Sequence, residues 1–264
     1  MEKEFGKYSL KDLIELVSYI KQLPVVSEET LSAIREKPED FFGQLNVPFY
    51  WSLLYSRPYV ELISFLVVGS GQKEWLSEIA GSPDQQRAVL DSIKAEIESM
   101  RSNELIELPK DFKPEAYFSA LIAFHYTIES IWLYGYPMND LVVKAANGSN
   151  KALFDAVRLD KSAVACPEIA SRISLATMTE DEDFFEDLKR ALNGKPGRRQ
   201  RFFGPLRYVL TLLSEDGVLD SMSEKQRCNL LHDKLQLYST KSTDPQKSLS
   251  RFIQRWKKGG DIYS

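Results

Sequence analysis

Apolar residues recur at helical spacing along most of the chain, whereas the period-two alternation of half-buried strands between hairpin turns is hard to find. After Ser9, the positions Leu10, Leu13, Ile14, Val17 and Ile20 make one stripe running to about Leu23, with Ser9 placed to cap the helix and Pro24 placed to end it. Ser27 opens the next helix. Pro58, Pro83, Pro114, Pro167 and Pro245 each stand where a first helical turn begins, a position that does not use the missing N–H and gains from the fixed φ. Gly43, Gly69, Gly81, Gly135, Gly148, Gly194 and Gly217 follow apolar-periodic stretches, as C-terminal caps do. The pattern predicts an all-α protein: about a dozen helices of ordinary length in a multi-helix or helical-hairpin array, with no substantial sheet.

Two longer-range features organise that array. The stretch Ser102–Pro114, SNELIELPKDFKP, is charged and carries two prolines between helical patterns. It predicts a boundary between an acidic N-terminal helical subdomain, 1–112, and a C-terminal helical subdomain, 113–264, whose last third is basic. Between Asn139 and Gly194, Ala146 and Phe154 are echoed 30 residues later by Ala176 and Phe184. Hairpin repeats have periods of this order and stack into elongated binding surfaces, although any two helical hairpins of similar length share small and aromatic packing residues.

The most hydrophobic run, Tyr117–Tyr136, is interrupted by His125, Thr127, Glu129 and Ser130, each costly in hydrocarbon, so it reads as a buried helix and no membrane span is expected. The opening residues MEKEFGKYSLKDL mix charged with apolar positions and lack the apolar core of a secretory signal, which makes a cytoplasmic location the expectation. In that compartment Cys166 and Cys228 are expected to be reduced thiols rather than a disulfide.

Composition enters as an exclusion. Hydrophobic residues make up 43 % of the 264 and charged residues 27 %, with 13 Gly and 12 Pro, which is neither collagenous, disordered nor disulfide-stapled. The net charge of −4 hides an asymmetry: from Leu188 to Gly260 there are 16 basic and 6 acidic residues, a net of +10, and the rest holds 18 and 32, a net of −14.

Much of the positive charge sits in two elements. Lys195–Tyr208, KPGRRQRFFGPLRY, holds Lys195, Arg198, Arg199, Arg201 and Arg207 with Phe202, Phe203 and Tyr208 between them and no carboxylate. Guanidinium groups grip phosphates bidentately and aromatic faces stack on unpaired bases, so a loop of this kind leading into a helix suits single-stranded nucleic acid. A solvated basic loop anchored by its phenylalanines is the plainer account. The last helix, 245–258, begins at Asp244-Pro245 and sets Leu249, Phe252, Ile253 and Trp256 on one stripe. Lys247, Arg251, Arg255 and Lys258 fall on the opposite side. Docking of the apolar stripe on the core, with the cations left in water, is the simplest outcome; release to a groove or membrane surface is the other.

Other signals for chemistry are thin. Thr179–Leu188, TEDEDFFEDL, lacks the glycine and ligand spacing of a calcium loop and reads as an acidic helix start capped by Thr179 or Asp181, placed to pair with the arginine loop. Cys228 and His232 have the spacing of half a zinc site with no second half, and His125 and Glu129 have the spacing of a buried pair. VVGSGQKEW, Val67–Trp75, lacks the context of a phosphate-binding turn, and neither a Gly-x-Ser-x-Gly elbow nor a His-Glu-x-x-His motif occurs. Phe49, Tyr50, Trp51, Tyr55 and Tyr59 around Arg57 fit a binding hot spot and equally a core corner. No metal or cofactor is indicated. The chain therefore reads as a helical protein acting by binding rather than catalysis: a protein-interaction or adaptor module with a protein partner, or, alternatively, a nucleic-acid-associated protein using residues 195–208 and the basic face of 245–258.

Overall fold

The computed structural model describes residues 4–22, 31–32, 36, 50–58, 61–62, 65, 114–194, 203–239 and 243–258. The protein is all-α, with ten α-helices among the described residues. The one departure is a hairpin of β1, Glu4–Phe5, with β2, Tyr8–Ser9, turned by Gly6 at φ +66°. The helices are α1, Leu10–Gln22; α2, Pro114–Tyr134; α3, Met138–Ala146; α4, Asn150–Leu159; α5, Pro167–Met178; and α6, Glu182–Asn193. Then follow α7, Gly204–Glu215; α8, Val218–Ser221; α9, Glu224–Cys228, which continues as a π-turn over Asn229–Lys234; and α10, Pro245–Lys258. No described helix is long and apolar enough to cross a membrane. The proposed boundary at Ser102–Pro114 lies almost wholly outside the described residues.

The chain forms two compact units, Met1–Val25 with Tyr126–Ser264, and Val26–His125. In the second, Leu31, Trp51, Tyr55 and Leu62 are buried, which gives Trp51 and Tyr55 a core role. In the first, local signals set the helix ends. Asp12 N–H donates to Ser9 Oγ at 3.1 Å and Ser9 N–H to Asp12 Oδ2 at 2.7 Å, a reciprocal cap for α1. Leu13, Val17 and Ile20 are buried below it, while Ile14, assigned by spacing to the same stripe, faces water. The β1–β2 turn carries this N-terminal segment to the far end of the sequence: Lys7 N–H and Nζ reach the Asp216 carboxylate at 3.3 and 3.1 Å, and Phe5 enters the core.

That core is built from Phe5, Leu13 and Val17 together with apolar residues of α7 to α10, including Leu210, Leu213, Leu231, Leu249 and Ile253. Two glycines let its helices close up. A Cβ on Gly204, at the start of α7, would run into the carbonyl oxygens of Ile131 and Trp132 on α2. One on Gly135, which leaves α2 at φ +80°, would stand 2.6 Å from Arg207 Cβ. Trp132 Nε1 donates to Ile20 O at 2.6 Å, which ties α1 to the same joint.

Residues 138–193 form the helical hairpin α3–α4 followed by α5 and α6. Pro167 starts α5 as expected, Ser149 Oγ accepts from Ala152 N–H to cap α4, and Asp181 Oδ1 accepts from Phe184 N–H at 3.0 Å to cap α6. The two later helices lie on the hairpin in order: α5 packs on α3 and α6 packs on α4. The echoed phenylalanines meet in that stack, with the rings of Phe154 and Phe184 5.4 Å apart. A buried Asp155 pairs with Arg158 Nη1 at 2.5 Å, and the Arg158 side chain extends towards Gly194 at the end of α6.

Candidate functional site

The two basic elements are realised differently. Lys195, Arg198, Arg199, Arg201 and Phe202 lie outside the described residues, as does any pairing of that loop with the acidic turn. Arg207 belongs to α7, where it is half-buried against Gly135. Phe203 does not stand free for a base to stack on: its ring centroid is 5.1 Å from that of Phe252 and 6.1 Å from that of Tyr238, so it anchors the start of α7 to α10.

The last helix docks as the simpler expectation has it. Asp244 Oδ1 accepts from Lys247 N–H at 2.9 Å, Leu249 and Ile253 are buried, and Phe252 and Trp256 pack at the margin of the core. The Tyr238 hydroxyl and Ser248 Oγ are 2.8 Å apart, which secures the N-terminal half. Lys247, Arg251, Arg255 and Lys258 are all exposed, and none makes an ion pair among the described residues. Lys257 alone pairs, with Asp220 of α8.

Beside α10 an open cleft of about 360 Å³ is lined by Tyr136, Lys144, Glu215, Asp220, Trp256 and Lys257. Its charges answer one another: Lys257 meets Asp220, and Lys144, whose Nζ is 4.9 Å above the Tyr136 ring, is held between Asp140 and Glu215. Burial first, then the Glu215 carboxylate, push Asp140 up to about 6 against the pull of Lys144, while burial lowers Lys144 and raises Tyr136. The Asp140 carboxyl therefore takes up its proton near pH 6, above the ordinary carboxylate range. Cys166 lies elsewhere, buried, with its thiol donating to Glu168 Oε2 at 3.0 Å; burial and the neighbouring carboxylate push it up to about 12, so it carries no thiolate. His232 Nδ1 is 2.5 Å from Tyr238 O, so its ring is committed to a backbone carbonyl at the point where α9 gives way to the π-turn. His125 is buried on α2 and Glu129 half-buried.

The feature that spacing did not single out is the outer face of α5. Ser171, Ser174, Leu175 and Met178 stand at i, i+3, i+4 and i+7, and all are exposed. Leu175 is 49 % and Met178 82 % exposed; Phe185, one short turn away on α6, is 36 % exposed, and Val143 on the neighbouring α3 is 51 % exposed. Two hydroxyls in this region are answered internally, Ser171 Oγ donating to Pro167 O at 2.8 Å and Thr177 Oγ1 to Ile173 O at 2.9 Å. Stripping water from such a face leaves few donors unmade. The sequence did carry a signal for it: PEIASRISLATM has only Glu168 and Arg172 as charges, so the helix lacks a strongly charged side to give to solvent. Compared with protein-family models, with curated proteins and with solved structures, the chain finds no match.

Proposed function

We propose that this protein is an interaction module that binds another protein through the packed helices α3–α6. The observation that carries this reading is the uncharged outer stripe of α5, where Leu175 and Met178 stand in water on a helix whose opposite side is already used to pack against α3. Large apolar side chains grouped on one helical face, rather than scattered singly, are the mark of a surface that is covered in use. The packing of α5 on α3 and of α6 on α4 holds such a face in place.

A photo-crosslinking residue in place of Met178 tests it. The expected result is a discrete crosslinked protein adduct that is lost when Leu175→Ser is added and is not formed from Gln226 on α9. Identical adducts from positions 178 and 226 would overturn the reading.

One observation favours a second reading. The exposed row Lys247, Arg251, Arg255 and Lys258, without an ion pair among the described residues, has the charge pattern that suits a phosphate backbone. Fluorescence anisotropy with single-stranded and duplex oligonucleotides decides it. Binding at about 50 mM salt that falls steeply with added salt, and that Arg251→Ala with Arg255→Ala weakens, supports nucleic-acid association; no binding at that salt sinks it.

A further inference from the structure

We propose that the α5–α6 edge takes a cationic amphipathic helix of a partner protein, a step that rests on the interaction reading above and names the chemistry of what is bound. The apolar part of the surface is Leu175, Met178 and Phe185. It is bordered on one side by carboxylates: Glu180, Asp181, Glu182, Asp183 and Glu186 are all exposed. Their proximity to the apolar stripe follows from the turn. α5 and α6 are separated only by Thr179–Asp181, Asp181 N–H closes on Ala176 O at 3.1 Å, and Glu180 takes the left-handed conformation at φ +52°. Met178 and Glu182 thus stand on either side of a three-residue connection.

Some of this acidity is spent within α6. Arg190 binds Asp187 at 2.7 Å and Glu186 at 3.2 Å, and Asp181 caps the helix. Glu180, Glu182 and Asp183 have no ion pair among the described residues. Two of the three lie in the first turn of α6, where the helix itself tolerates their charge, so the fold holds a negative rim that no described cation compensates.

The partner that answers both features has an apolar stripe at i, i+3, i+4, i+7 to lie along α5 and lysines or arginines beside it. Their methylene stems extend the apolar contact while their heads reach the rim. Met178, unbranched and polarizable, adapts to differing apolar side chains. An anionic membrane surface or a nucleic acid would be repelled by the same carboxylates, and an acidic helix would be rejected for the same reason. A second copy of the chain does not serve through α10, which has the right pattern, because Leu249 and Ile253 are already buried in its own core.

The test uses the full chain and a synthetic 18-residue helical peptide of leucine and lysine carrying that stripe, beside a twin in which every lysine is glutamine. Affinity is read by fluorescence anisotropy at low and high salt, with helicity by circular dichroism as the folding control. The lysine peptide is expected to bind at least tenfold more tightly than the glutamine twin at about 50 mM salt, the gap closing at about 500 mM as screening shortens the reach of the rim. Leu175→Ser with Met178→Ser should lower both affinities tenfold or more. Glu180→Gln, Glu182→Gln and Asp183→Asn together should lower only that of the lysine peptide, and Glu224→Gln on α9 should change neither. If both peptides bind equally and both depend on Leu175 and Met178, the cationic partner is wrong and the docking surface stands. If neither responds to Leu175→Ser with Met178→Ser, the docking surface falls as well.

Discussion

α5 and α10 are of similar length, 12 and 14 residues, and both begin with proline, yet they treat solvent in opposite ways. α10 sends Leu249 and Ile253 into the core and leaves Lys247, Arg251, Arg255 and Lys258 in water, so each side of the helix meets the medium it suits. α5 buries Ile169 and Ala176 but turns Leu175 and Met178 outward on a face without charge. Charge drew attention to α10, and burial shows that its charge needs no partner to explain it: a solvated cationic side is what a docked terminal helix presents. The outer side of α5 is the one with no account inside the molecule. An exposed charge is at ease in water, whereas a grouped set of exposed apolar side chains gains from being covered.

That contrast can be broken by measurement, beginning with the seat on which α10 rests. α10 shares its core with α7 and meets its start through the Phe203–Phe252 ring contact, and α7 comes close to α2 because Gly204 lacks a Cβ beneath the carbonyls of Ile131 and Trp132. Gly204→Ala should therefore cost about 3 kcal/mol or more in urea unfolding, the overpacking penalty being large because the obstacle is backbone. A loss below about 1 kcal/mol would show that α2 and α7 have slack at this joint.

Leu249→Ala comes next, with an expected loss of about 2–3 kcal/mol from the cavity it leaves. The matching change on the other helix, Leu175→Ala, should fall within about 0.5 kcal/mol of wild type. Equal losses at the two sites would erase the distinction drawn between them.

Asp140 sharpens the comparison from the cleft beside α10. Its folded value of about 6 exceeds the ordinary carboxylate value, so the folded chain holds this proton more tightly than the unfolded one. The site is therefore least favourable to folding at pH 7; stability is regained as pH falls through about 6 and the gain is complete below the unfolded value near 4. Asp140→Asn should stabilise the protein by about 2 kcal/mol at pH 7 and leave it unchanged at about pH 4, read from urea midpoints at the two pH values. An equal gain at both would mean that packing, not ionisation, is what the carboxylate upsets.

Much of the helical framework could be read from local sequence because its causes are local. Ser9 and Asp181 cap where their side chains can reach N–H groups three residues on, and Pro114, Pro167 and Pro245 start helices because each fits a position that has no use for an N–H. The echo of Phe154 in Phe184 is a real contact because α6 packs on α4 and brings the two rings together. What escaped detection depends on partners far away in the chain. Spacing left the Phe203 ring open to stacking or to anchoring its loop, and Tyr238 and Phe252 decide for anchoring, while Ile14 shared a stripe with buried neighbours yet faces water. The β1–β2 hairpin is too short for alternation to register, and its position depends on Asp216. Cys228 and His232 have helical spacing in sequence, but the chain widens into a π-turn between them.

By itself, then, the sequence determined the helical class, several helix starts, the amphipathic character of α10 and the lack of familiar catalytic motifs, because caps, φ limits and periodicity act within a few residues. Only the tertiary structure decided that the N-terminal 25 residues join the C-terminal unit, that α3–α6 stack in pairs, and that α5 is left with an apolar face outward. A side chain's burial depends on what other segments cover it, and a neutral helix such as α5 carries no internal instruction about which of its sides is to be covered.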